Sequence, residues 1–82
     1  MITTIIQNTD ILAVENGKTV GRLEFSLLGE QMSIIHTSAY ESGRQIGTLL
    51  MSTAVEWANT NKYTIVPICS FAKKYLEKTN PN

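Results

Sequence analysis

Apolar and polar positions alternate through the first half of this chain, and after residue 42 they change to helical spacing. The β-branched stretch from Ile2 to Ile6 predicts a first strand. A second apolar run, Ile11-Leu12-Ala13-Val14, ends at Glu15-Asn16-Gly17. Asn-Gly between two apolar runs predicts a tight hairpin, because both residues tolerate positive φ. From Val20 to Leu27 the period is two, with Leu23, Phe25 and Leu27 on one face and Arg22, Glu24 and Ser26 on the other. Gly29 marks another turn. Gln31 to Thr37 then alternates again, so Met32, Ile34 and His36 are expected to share a face. This half reads as an antiparallel meander.

Ala39 to Arg44 has loop character, and Ile46, Leu49, Leu50, Thr53, Ala54 and Trp57 then fall on one helical stripe. Asn59-Thr60-Asn61 supplies its stop. Tyr63 to Cys69 predicts a last strand, in which Pro67 removes one ladder donor. Ser70 is placed to cap a short helix from Phe71 to Lys78, with Phe71, Tyr75 and Leu76 facing inward and Thr79 to Asn82 as a frayed tail. The predicted fold is α+β: a mainly antiparallel sheet with one long and one short helix, forming one domain over residues 1–82.

Composition narrows the partners. The chain has 82 residues, 43% of them hydrophobic and 17% charged, a globular balance. Seven Lys and Arg offset seven Asp and Glu, leaving no basic excess for a nucleic-acid backbone. One cysteine forms no internal disulfide and no cysteine-based metal site, which fits a reducing compartment. The N-terminus lacks the basic start and apolar run of a signal peptide, and no stretch is long enough for a membrane helix. A cytoplasmic monomer or simple homo-oligomer is expected, with no nucleic-acid or membrane partner.

Two constellations carry candidate chemistry. Ser42-Gly43-Arg44-Gln45-Ile46-Gly47 lies between a strand and a helix, where free backbone N–H groups and the helix dipole suit a phosphate or pyrophosphate. Arg44 would add a charged hydrogen bond at the rim. On the plainer reading, Gly43 only makes the turn and Gly47 only lets the helix approach the sheet. The second constellation pairs His36 with Cys69, which ends the last strand just before a helix N-terminus, a position that favours the thiolate. Were the two neighbours, His36 would serve as base or as imidazolium partner. The plainer reading makes both ordinary core residues. Lys73, Lys74 and Lys78 read as a solvated helix face, with attraction for a 3′-phosphate as the alternative.

The order of these elements resembles the GNAT superfamily of acetyl-coenzyme A-dependent acetyltransferases, and most closely its small one-domain branch. Three segments carry the likeness: Ile35-His36-Thr37, then Gly43-Arg44-Gln45-Ile46-Gly47 with Leu49-Leu50, then Val66-Pro67-Ile68-Cys69-Ser70-Phe71-Ala72. The superfamily's coenzyme signature, Gln/Arg-x-x-Gly-x-Gly/Ala, falls with its first position on Ser42, its internal Gly on Gln45 and its last on Gly47. The resemblance implies a minimal GNAT-like fold with acetyl-coenzyme A as cosubstrate and an amine or other small acceptor. It implies coenzyme contacts from Thr37, Gly43, Arg44, Gln45, Ile46, Gly47, Thr48, Ser70 and Phe71, and catalytic roles for Cys69, as acyl-accepting nucleophile, and His36. A side chain at Gln45 would obstruct the diphosphate or hold the backbone out of a conformation that glycine adopts freely. Two other readings stand beside the enzyme: a coenzyme A-binding accessory or sensor domain without turnover, and a structural domain that has lost the ligand.

Overall fold

The computed structural model describes residues 1–41 and 43–79. Ser42, the signature's first position, and the tail from Asn80 to Asn82 lie outside the described residues. Five strands form one sheet in the order β1 (Thr3–Gln7), β2 (Asp10–Glu15), β3 (Lys18–Leu28), β4 (Gln31–Ala39) and β5 (Thr64–Pro67). The first four are an antiparallel meander, as their alternation predicts. Asn16 and Gly17 turn the β2–β3 hairpin with φ of 52° and 77°. β5 instead runs parallel to β4, from Gln31↔Thr64 to Ile34↔Pro67, so the sheet is mixed and not antiparallel throughout. The intervening α1 (Ile46–Asn61) is the crossover that a parallel connection requires.

Helix α1 packs on the sheet beside α2 (Ser70–Thr79), and both cover the same face. The α1 residues fully buried there are Ile46, Leu50, Met51, Ala54 and Ala58. Four of them, Ile46, Leu50, Ala54 and Ala58, follow an i, i+4 row with Met51 beside it, so the buried stripe is rotated slightly from the expected one, and Leu49, Thr53 and Trp57 are half-buried at its margin. Phe25, Trp57 and Tyr63 stack in series with ring centroids 5.4 Å apart at each step. Leu27, expected inside, lies near the β3–β4 turn and is 40% exposed. Where α1 begins, Gly21 of β3 lies directly beneath it. A Cβ at Gly21 would collide with Ile46, so this glycine sets how closely helix and sheet approach.

One irregularity changes the site. The β3–β4 register steps from Phe25↔Ile34 to Glu24↔His36, leaving Ile35 as an extra, bulged residue. Residues paired across an antiparallel ladder share a face, so His36 stands with Glu24 on the uncovered face and is exposed. The expectation that His36 shares a face with Met32 and Ile34 is therefore corrected. Thr37, paired with buried Leu23, takes the covered face instead.

Candidate functional site

The chain enters α1 through a tight turn. Gly43 has φ 79°, and Gln45 is the N-cap residue with φ 56° and ψ 33°, a left-handed conformation. Gln45 makes no side-chain capping bond, and the first intrahelical bond runs from Leu49 N–H to the Gln45 carbonyl at 3.1 Å. The N–H groups of Ile46, Gly47 and Thr48 therefore have no intrahelical acceptor, and no acidic residue sits in the first turn. Backbone donors and the helix dipole converge there on an anion-sized space.

That space is a cleft of about 210 Å³ lined by Thr37, Ala39, Glu41, Gly43, Gln45, Ile46, Gly47, Thr48 and Phe71. Seven of the nine residues expected to touch coenzyme line it, and Arg44 and Ser70 do not. Ala39 and Glu41 also line it; nothing in the pattern singled them out beyond their place in the loop. Gly47 has a definite packing role. A Cβ there would come within 2.8 Å of the Phe71 ring, so the missing side chain lets α2 approach α1, where the plainer reading had Gly47 meeting the sheet.

Cys69 does not line the cleft but lies against Thr37, which does. Helix α2 begins one residue earlier than expected, at Ser70, so Cys69 itself caps it in place of Ser70. Its Sγ accepts the Ala72 N–H at 3.4 Å, and Lys73 N–H bonds its carbonyl at 3.2 Å. The thiol's other partner is Thr37, with Sγ 3.7 Å from Oγ1. Thr37, and not His36, thus connects the cysteine to the cleft. The strands part at this point: Ile68 and Cys69 both donate to the Ile34 carbonyl at 3.1 Å, and no β5 residue pairs with β4 beyond Ile34. The ladder runs one donor past Pro67 and ends where the Ile68 and Cys69 N–H groups converge on the single Ile34 carbonyl. The edge of β4 from His36 to Ser38 is left facing an open fork.

The sequence matches the family model described as GCN5-related N-acetyl-transferase over residues 10–81, most of the chain. The chain belongs to the GCN5-related N-acetyltransferase family. Its fold is also similar to the solution structure of a "GCN5-like putative N-acetyltransferase" from Staphylococcus aureus, with a TM-score of 0.76 and 22% identity, covering 96% of this chain and 81% of that one. No curated protein matches the sequence.

Within this GCN5-related domain, Arg44 departs from the expected placement. Its guanidinium is clamped by Glu15 at 2.6 and 2.7 Å and by Glu41 at 2.9 Å, tying the turn to the β2–β3 hairpin. Glu15 lies 29 residues away, and no local pattern connects it to Arg44. The two carboxylates push the Arg44 pKa further up, and the hydrogen bond from Arg44 holds the Glu15 carboxyl below its usual 4.5. Because the folded value is the lower one, the pair's stabilisation is complete above the ordinary carboxylate range and is lost as pH falls through the lowered value. An NMR titration of the Glu15 carboxyl carbon should give a midpoint below 4.5 that returns towards 4.5 in Arg44→Gln.

Gln45 occupies the internal glycine position of the family's signature, and the backbone there is left-handed. That conformation costs a non-glycine residue roughly 1–2 kcal/mol. Gln45→Gly should therefore raise unfolding stability by up to about 1 kcal/mol, net of glycine's greater chain entropy. Denaturant titration reads the change; a loss of stability would mean that the Gln45 side chain supports the turn.

Among the described residues no helix is long and apolar enough to cross a membrane, and no group of three or more His, Cys, Asp or Glu is placed to hold a metal.

Proposed function

We propose that this domain binds acetyl-coenzyme A in the cleft at the start of α1 and transfers the acetyl group to an amine or other small acceptor. The observation that carries the reading is the junction of two features in one cleft: three unpaired helix N–H groups, and the unpartnered edge of β4 at the fork. The amides of Ile46, Gly47 and Thr48 suit the diphosphate, needing no basic side chain. The His36–Ser38 edge offers backbone donors and acceptors to an amide-bearing pantetheine arm, which would lie there as an added strand. When bound, the coenzyme supplies a thioester. The acceptor nitrogen bonds to its carbonyl carbon, the carbon–sulfur bond breaks, and the nitrogen's proton ends on the coenzyme thiolate. Incubation with acetyl-coenzyme A and a panel of amines should release free coenzyme A. Binding without release would favour the accessory or sensor reading, and absence of binding the structural one.

A second route passes through Cys69. It is supported by the position of Sγ on the first turn of α2, beside Thr37 at the fork. On this route the thiol carries the acetyl group before the acceptor takes it. Intact mass should then show an acetyl adduct that Cys69→Ser abolishes without loss of coenzyme binding. Because His36 stands on the opposite face, His36→Ala should leave the rate of Cys69 alkylation unchanged. A clear slowing in that variant would return the imidazole to the thiol's side.

A further inference from the structure

The sheet ends on two edges, and they are unlike. At β5 the N–H groups of Thr64 and Ile68 turn inward to the carbonyls of Glu30 and Ile34, so by alternation the nitrogen of Pro67 faces outward. The outer side of β5 thus lacks a donor at Pro67, and the strand has only four residues. A neighbouring strand finds little to pair with there. β1 has none of these guards. Thr3-Thr4-Ile5-Ile6-Gln7 carries no charge and no proline, and its register with β2 is unbroken. Gln7 and Asp10 close a two-residue turn, which makes them a hydrogen-bonded pair, and Ile5 and Thr3 follow in the same phase. The backbone N–H and C=O groups of Thr4 and Ile6 are then left pointing out of the sheet.

This edge is held in place and is apolar on both faces. Thr53 of α1 bonds to Thr4, with their Oγ1 atoms 2.9 Å apart, which ties the strand to the helix. Ile5, paired with Leu12, is 48% exposed on the uncovered face; Ile6, paired with buried Ile11, is 37% exposed on the helix face. Thr4 and Ile6 border a hollow of about 310 Å³ with Thr53, Glu56, Trp57 and Thr60. The strand is also complementary to itself when reversed. Set antiparallel to a second copy about Ile5, Thr4 of each chain opposes Ile6 of the other, and their outward groups bond to each other. Thr3 opposes Gln7. Ile5 meets Ile5 of the second copy at a non-hydrogen-bonded position, where side chains approach most closely. The chain carries no net charge, so two copies meet without long-range repulsion.

We propose that β1 is a dimerisation edge, pairing with β1 of a second copy of this chain, antiparallel about a twofold axis at Ile5, so that two sheets become one. The pairing consumes the open edge of each copy, so assembly stops at two. The contact is small, which makes it a weak association that depends on concentration. The coenzyme cleft contains no residue of β1, so the dimer leaves it open and the proposal stands apart from the coenzyme reading. Sedimentation equilibrium of the full chain from micromolar to millimolar concentration tests it. The average mass should rise from one chain towards two, and the Thr4 and Ile6 amides should gain protection from hydrogen exchange over the same range. Ile5→Lys should stay monomeric and folded, because two ammonium groups would oppose each other at the axis. Ile5→Glu should do the same. An equimolar mixture of these two variants should regain the dimer, which requires residue 5 of one copy to face residue 5 of the other. Leu28→Lys, at a more exposed apolar position at the end of β3, should leave association unchanged. A chain that stays monomeric at millimolar concentration would overturn the proposal. So would a dimer that Ile5→Lys leaves intact, or assembly beyond two copies.

Discussion

Replacing Leu50 with alanine is expected to cost about 2–5 kcal/mol of unfolding free energy. Leu50 has no exposed surface, lies in the middle of the α1 row facing the sheet, and reaches to within 3.3 Å of where a Gly21 Cβ would stand. The cavity left by truncation cannot collapse easily between a helix and a sheet held this close. Against a total of roughly 5–15 kcal/mol for ordinary domains, the loss is a large share of the protein's stability. Leu49→Ala, at a half-buried neighbour on the same helix, should cost distinctly less. Denaturant titration of the two variants checks the face assignment. Equal losses would mean that the helix is rotated from the orientation described.

Gly47→Leu should have the largest effect on ligand binding. The Gly47 Cα faces the Phe71 ring across a gap that admits no Cβ without movement, and both residues line the first cleft. A leucine would push the partly exposed Phe71 ring aside and fill the space above the α1 amides. Helix propensity favours the change by a few tenths to about 1 kcal/mol, so the fold should survive it. Coenzyme affinity should fall about a hundredfold or more, equivalent to roughly 2.7 kcal/mol. A folded variant that still bound coenzyme normally would place the diphosphate somewhere other than this turn.

The meander was legible because period-two alternation and the Asn16-Gly17 turn each depend on neighbours within a few residues. The α1 start was legible for the same reason, and so was most of the first cleft, since seven of its nine lining residues fall between Gln45 and Thr48 or in the adjoining Ala39–Arg44 loop. The features that were missed depend on register or on distance. Strict alternation carries His36 onto the covered face, and only the bulge at Ile35 reverses this; no Gly or Pro marks it, because a β-branched residue bulges there. The Arg44–Glu15 clamp spans 29 residues and forms only once the β2–β3 hairpin is folded. The parallel pairing of β5 follows from where α1 delivers the chain, which the apolar pattern of Thr64 to Pro67 does not encode. Cys69 as cap, in place of Ser70, is a difference of one residue in the helix start, and local pattern does not resolve it.

The central claim is that the open start of α1 is a coenzyme site. Titrating labelled protein with acetyl-coenzyme A while following backbone amide signals tests it most directly. Gly43, Ile46, Gly47 and Thr48 should shift most, His36 to Ser38 should follow as the β4 edge gains a partner, and Asp10 and Leu12 on the uncovered face should stay still. Unchanged signals from the turn and the β4 edge at millimolar coenzyme would contradict it.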